Sequence, residues 1–314
     1  MPDYSIFGGC LRSAITFPEL RPAPAREVTW TLRESASAAP ITGAAVLGEL
    51  EINASCRVRL VRHDGGYRLA YDDTGTYDVS ADGRTITWCR GPNAGPSAVR
   101  ADVTGRVLAT ALHAAGYFCL HGSAVSLAGG TIAFVAPKYH GKSTLALALT
   151  RAGGRLVTDD VLPVDPGPPP EAIPGVHQVK LWDDSAELFG VEQRDVEAGE
   201  KHLVHDFADD HLMFERTPLS AIYLLAVAGP DADPSEPARR IRLADVPSAL
   251  ALVRHAAIGA LLGGAEAPAL FDRAVALARV VPVYRLERVK GFDRMDEVIE
   301  TLLDWHGTPA RATP

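Results

Sequence analysis

Hydrophobic and polar positions alternate along the first hundred residues. "CRVRLVRHDGGYRLAYDD" (56–73) alternates on both sides of Asp64-Gly65-Gly66, and "GTYDVSADGRTITWCR" (75–90) does so around Asp82-Gly83. Period-two patterns flanking a Gly turn predict two β-hairpins, since Gly supplies the positive φ of a tight turn. Residues 1–98 are therefore expected to form a β-rich N-terminal domain, closed by the Gly/Pro/Asn-rich loop "RGPNAGPS" (90–97). From Ala101 the period changes: "ADVTGRVLATALHAAGYF" carries apolar residues at helical spacing. "HGSAVSLAGGTIAFVA" reads as two strands around Ala128-Gly129-Gly130. A helix over 143–152 follows, stopped by Gly153-Gly154, and then a strand "RLVT".

Residues 163–175 hold six prolines and read as a loop. "HQVKLW" is a further strand candidate. "LSAIYLLAV" predicts a buried strand, "DVPSALALVRHAAIGALL" and "PALFDRAVALARV" two helices, "PVYRLERV" a strand and "DRMDEVIETLLDWH" a closing helix. "GPDADPSEPARR" (229–240) reads as a polar surface loop. Strands alternating with helices make residues 99–314 an α/β unit.

Composition narrows the function classes. The chain has 314 residues, 47% hydrophobic and 22% charged, as in globular proteins, with 31 Lys and Arg against 39 Asp and Glu, a net charge of −8. An acidic chain argues against general nucleic-acid or anionic-membrane binding, which want clustered cations. No apolar run is long enough for a membrane helix, and "MPDYSIFGGCLRSAITFPEL" lacks the basic start and apolar core of a secretory signal. Cys10, Cys56, Cys89 and Cys119 are widely spaced, which speaks against a zinc site and for a reducing cytoplasm.

Candidate chemistry concentrates between strand and helix. In "APKYHGKST" (136–144), Gly141, Lys142, Ser143 and Thr144 are the last part of a phosphate-binding loop. Such a loop aims backbone N–H groups and a helix N-terminus at phosphate, while the Lys adds charge and the Ser or Thr hydroxyl reaches Mg²⁺. Ala136 stands where the first Gly is usual, and Tyr139 where Gly is frequent. If that position needs positive φ, Tyr139 is strained by about 1–2 kcal/mol. Lys138 and His140 add donors. Asp159 and Asp160, 17 and 18 residues after Lys142, suit phosphoryl transfer: one carboxylate for the metal, the other for the attacking hydroxyl. Adjacent strand residues point to opposite faces, so the two should differ in role; the plainer reading is a helix cap or turn pair. His121, 21 residues before Lys142, is on its own more readily a structural histidine than a site residue.

His121-Gly122, "GKS" and "TDD" together resemble the C-terminal kinase domain of the HPr kinase/phosphorylase family, which shares its phosphate-loop architecture with phosphoenolpyruvate carboxykinase. "LHGSAV", "GKSTLALAL", "LVTDDVLPV" and "IPGVHQVKLW" look closer still to stand-alone kinases encoded beside lasso peptide precursors, as does the opening "YSIFGGCLRSAITFPEL". The resemblance implies ATP and Mg²⁺ as cofactors and a serine hydroxyl of a precursor peptide as acceptor. It implies that Ala136, Lys138, Tyr139, His140, Gly141, Lys142, Ser143 and Thr144 bind nucleotide. Ser143 and Asp159 would serve the metal, Asp160 would be the base, and His121 would orient Asp160 or the phosphate. HPr kinase carries a Glu and an Arg in an E-x-R-G segment after the aspartates. Here "EAIPG" has Glu171 out of register and Pro174 for the Arg, so reverse phosphorolysis and HPr as acceptor are not expected. Lys180 and Lys201 are further phosphate candidates, Lys201 being more readily read as a solvated charge; Trp182 and Tyr223 are core or pocket-wall residues. A small hydroxylated metabolite as acceptor and a non-catalytic nucleotide sensor are the alternatives. Family members form hexamers, and nothing in this sequence requires a homo-oligomer.

Overall fold

The computed structural model describes residues 1–191, 201–229, 233, 235–289 and 291–307. Its first sheet comprises β1 (Asp3–Ile6), β2 (Gly9–Ser13), β3 (Trp30–Ser35), β4 (Ala45–Asn53), β5 (Cys56–His63), β6 (Gly66–Tyr71), β7 (Gly75–Ser80) and β8 (Thr85–Arg90). Their order in space is β1-β2-β3-β8-β7-β6-β5-β4. Both hairpins predicted from alternation are β5–β6 and β7–β8, antiparallel as expected. Gly83 adopts φ 72° in the second turn.

The helical stretch differs from its expected bounds. It begins inside the supposed boundary loop, with α1 (Pro96–Asp102), because Pro is well suited to a first helical turn. It then kinks at Gly105, where φ is −94° and ψ −109°, and resumes as α2 (Leu108–Ala114), ending before the expected Phe118.

The second sheet takes in β9 (Phe118–Leu127), β10 (Gly130–Val135), β11 (Arg155–Thr158), β12 (Val161–Asp165) and β13 (Glu171–Ala172), with helix α3 (Lys142–Arg151) between β10 and β11. A two-stranded ribbon, β14 (Val179–Leu181) and β15 (His202–Val204), flanks α4 (Asp183–Leu188). The chain continues through β16 (Thr217–Val227), β17 (Ala238–Arg242), α5 (Asp245–Arg254), α6 (Ala267–Val280), β18 (Val283–Arg288) and α7 (Met295–His306). β10 pairs antiparallel with β9 and parallel with β16, which in turn runs parallel to β18. Helix α3 stops where the Gly pair predicts: Gly153 has φ 100° and the Gly154 amide donates to Leu149 O at 2.9 Å.

Three expectations are corrected. The proline-rich stretch 163–175 is not all loop: Pro163–Asp165 belongs to β12, and Glu171–Ala172 pairs with both β12 and β16. Pro163 sits opposite Cys119 in the ladder. The helix predicted over 245–262 ends at Arg254, followed by a short 3₁₀ turn at Gly259–Leu261. The polar segment 229–240, of which 230–232 and 234 lie outside the described residues, ends as strand β17.

Two apolar cores cover the two faces of the second sheet. One packs α3, α4 and α7 against Phe134, Leu156 and Tyr223. The other runs without a break from Leu60, Leu69 and Trp88 of the first sheet, through Val107 and Leu112, to Leu120, Val135 and Leu277. Among the described residues no helix is long and apolar enough to cross a membrane.

Candidate active site

A cleft of about 760 Å³ lies where the two sheets meet. One wall is the loop Lys138–Thr144 with Asp159, Asp160, Lys180 and His121; the opposite wall is Ile52, Cys56, Asp73 and the kinked segment Asp102–Arg106. The sizes of ligand pockets range over roughly 300–1,000 Å³, so the cleft can take a nucleotide-sized ligand.

The loop joins the end of β10 to α3. Gly141, at the helix N-cap, has φ 78°. That left-handed conformation favours Gly, while a Cβ there would only press on the mobile end of the Arg288 side chain, whose Nη2 lies 2.5 Å away. Ala136 is fully buried and tolerated, its carbonyl accepting from Lys142 Nζ at 2.9 Å; Pro137 O accepts from the same nitrogen at 3.3 Å. Burial pushes the Lys142 ammonium below its ordinary value, with nearby Asp159 opposing the shift. Tyr139 does adopt positive φ, 66°. Its ring stacks on Trp182 at 4.6 Å between centroids, a contact worth about 0.5–1.5 kcal/mol that offsets the backbone cost. Lys138 is exposed at the loop tip and its carbonyl lies 2.8 Å from His140 Nδ1.

Asp159 and Asp160 follow directly on the C-terminal end of β11, the strand expected at "RLVT". β11 and β12 both pair with β9, and the register shifts between Leu156 and Thr158. The two aspartates then interrupt the ladder, with Asp160 at φ 72°. This corrects the expected alternation: the left-handed residue turns the second carboxylate to the same cleft as the first.

Their surroundings nonetheless differ. Asp159 is buried; Oδ1 accepts from the Ser123 hydroxyl and from Ser143 Oγ at 3.0 Å, and Oδ2 from the Lys180 amide at 3.1 Å. Burial, and then the charge of Asp160, push its carboxyl up. Asp160 Oδ2 accepts from Lys180 Nζ at 2.6 Å. Burial alone would raise this carboxyl too, but the ammonium of Lys180, with His121 and Lys201, holds it well below the usual carboxylate range.

His121 lies within β9 rather than at its start, and Nδ1 sits 3.0 Å from the Asp160 main-chain oxygen, not its carboxylate. The histidine thus fixes the backbone of the left-handed residue. Lys180 is a site residue. Lys201 is not merely solvated: it lines the cleft with its ammonium 5.3 Å from the Trp182 ring centre. Trp182 lines the wall, whereas Tyr223 is core, fully buried and stacked on Phe134. Glu171 lies elsewhere, 3.9 Å from Arg216.

Two site residues escaped the sequence reading. Ser123 is one. Arg288, at the C-terminal end of β18, is the other; its Nη2 donates to His140 O at 3.0 Å, and burial lowers its pKa. The C-terminal ends of parallel strands are where α/β sheets place ligands, and that rule pointed at Arg288.

The donor set fits Mg²⁺. That ion takes hard oxygen ligands, few of them from protein. Asp159 is a buried carboxylate with no ion pair among the described residues, and it touches the Ser143 hydroxyl.

Burial pushes His121, His255 and His306 down to about 4. Below pH ~6.5 the unfolded chain binds protons there that the folded chain refuses until about pH 4. Stability is therefore lost as pH falls through that window. Burial pushes His113 and His177 down as well, whereas it pushes Asp159 up, and Asp102 up to about 6; the two carboxylates act in the opposite sense, two groups against five. The urea midpoint is expected to drop from pH 7 to pH 5; an unchanged or higher midpoint contradicts the assignment.

No family model matches the chain, and no curated protein matches it. Among solved structures the chain is similar to the HPr(Ser) kinase/phosphatase from Coxiella burnetii, at 16% identity over 60% of this chain and 89% of that one, with a TM-score of 0.34. At that score the likeness carries no argument about activity, which has to come from the site's own geometry.

Proposed function

We propose that the protein is a kinase that transfers the γ-phosphate of ATP to a hydroxyl group. The observation that carries the reading is the pair of unlike carboxylates facing one phosphate loop: Asp159 on Ser143 and Asp160 on Lys180. A mere nucleotide-binding module has no use for the second.

The loop amides and the N-terminus of α3 would hold the β- and γ-phosphates. Lys142, Lys201 and Arg288 would gather the charge on the transferring group. Mg²⁺, held by Asp159 and Ser143, would neutralise phosphate charge when bound. Asp160, kept ionised by Lys180, is a weak base. Its work is to accept the hydrogen bond of the incoming hydroxyl and fix its line of attack, taking the proton only late. A loose phosphoryl-transfer transition state asks for little more, so positioning and electrostatics supply most of the rate.

The resemblance of the sequence makes a serine of a lasso-type precursor peptide or a small protein the first acceptor to try. A hydroxylated metabolite is the second. The test is incubation with γ-labelled ATP, Mg²⁺ and a panel of precursor peptides, free serine and sugars. Label on a peptide supports the reading in full. Label on a small molecule keeps the chemistry and overturns the peptide. Tight ATP binding with no labelled product makes the protein a sensor and sinks the kinase.

A further inference from the structure

The phosphate loop sits partway along the cleft, and the two ends it leaves are unlike. Strands β11, β9, β10, β16 and β18 lie side by side, and all but β9 run in one direction. Their C-terminal ends therefore share one edge. Asp159 and Asp160 follow β11 on one flank of the loop, and Arg288 closes β18 on the other. Four strand spacings, about 19 Å in all, separate the flanks. That length suits a nucleoside triphosphate laid across the loop better than phosphate alone.

The first turn of α3 divides the two ends. Ser143 Oγ turns to Asp159, whereas the next hydroxyl, Thr144 Oγ1, lies 3.0 Å from Ser185 Oγ of α4. Consecutive helical residues diverge by about 100°, so the carboxylates lie on one side of the helix start and the rest of the cleft on the other. The stacked rings of Tyr139 and Trp182 belong to the carboxylate end, since the Lys201 ammonium beside Trp182 favours the charged form of both aspartates.

At the other end the cleft is floored by Gly291 and Phe292. Gly291 has φ 100°, and a Cβ there would meet no atom within 4 Å, so space stands open above it. Phe292 packs against the core that α3 and α7 share, lines the cleft with what remains exposed and, among the described residues, stacks on no other ring. Arg288 marks the passage between loop and floor. Its half-buried guanidinium has no carboxylate within 4.0 Å among the described residues and bonds to the carbonyls of His140 and Val289. A cation held out of water with no anion beside it points to a bound anion.

We propose that Gly291 and Phe292 form a nucleobase subsite: the base lies on the Phe292 ring, the phosphates pass Arg288 to the loop, and the γ end reaches Asp159 and Asp160. Stacking on one ring reads the area of the base more than its hydrogen-bond pattern, so purine nucleotides are preferred to pyrimidine ones. The proposal rests on the kinase reading for the ligand being a nucleotide, and it names the part of the chain that selects among nucleotides.

The probes are ATP, CTP and inorganic tripolyphosphate, each with Mg²⁺. Binding is read by calorimetry, and transfer by label, in the natural protein, Phe292→Leu, Phe292→Ala and Trp182→Ala. ATP is expected to bind about tenfold tighter than CTP. Phe292→Ala should weaken ATP about tenfold and leave tripolyphosphate within about twofold. Phe292→Leu keeps the core side filled and should weaken ATP about threefold; if the Ala variant does not fold, the Leu variant decides. Trp182→Ala should change ATP and tripolyphosphate alike. Equal affinity for ATP and CTP overturns the proposal. So does tripolyphosphate weakened as much as ATP by the Phe292 changes, or a loss selective for ATP in Trp182→Ala. An ATP-selective loss at Phe292 with no label on any acceptor keeps the subsite and removes the kinase reading. Transfer that persists with ATP binding untouched by Phe292→Ala keeps the kinase and removes the subsite.

Discussion

Asp160→Asn is expected to lower phosphoryl transfer by about 10²–10⁴-fold, the range for losing a positioned proton acceptor, while leaving ATP affinity within about twofold. The substitution is well suited to the question. Position 160 has φ 72°, and Asn is among the few residues with a side chain that tolerates the left-handed region. The amide oxygen of Asn can still accept from Lys180. His121 holds the main-chain oxygen, which the change does not touch. Fold and nucleotide site should therefore survive, and the loss reports on the carboxylate alone. Single-turnover transfer beside an ATP titration measures it. A variant that keeps more than a tenth of the activity takes Asp160 out of the reaction.

Lys142→Met is expected to reduce transfer by about 10²–10³-fold, the cost of removing one preorganised charge-stabilising donor. Met retains most of the apolar stem, so the packing of α3 against β10 should hold. Two carbonyls, those of Ala136 and Pro137, lose their shared donor. That loss destabilises, but the buried ammonium it removes was itself costly, so thermal unfolding should move only a little. The discriminating comparison is ATP against adenosine: the variant should weaken ATP binding and leave adenosine unaffected. Equal weakening of both would mean that the loop had collapsed rather than lost a charge.

Much of this site is written in short-range pattern. The hairpins at 56–73 and 75–90, the strand–loop–helix around Lys142 and the Gly153-Gly154 stop depend on neighbours in sequence, and each appears where periodicity puts it. At Tyr139 the sequence raised positive φ only as a condition, which the φ of 66° then meets. The facing of Asp159 and Asp160 was not legible. It depends on a register shift near Val157 and a left-handed residue, both settled by pairing with β9, more than thirty residues earlier. Ser123 and Arg288 reach the site only through the sheet, from strands that in isolation read as ordinary. Glu171 and Pro174 show the converse: a stretch compared by position in the sequence lies outside the cleft in the fold. The helix at 96–114 began early because Pro96 opens a helix as readily as it closes a loop.

The unbroken core that runs from Trp88 through Leu112 to Leu277 has a consequence for inheritance. The first sheet is not a bead that recombination could trade for another, since its apolar face is also the cover for α1, α2 and the inner side of the second sheet. A gene encoding only the second half would yield a product with that flank open to water. Change in this lineage should therefore proceed by substitution along the cleft walls, with both halves passed on as a single unit.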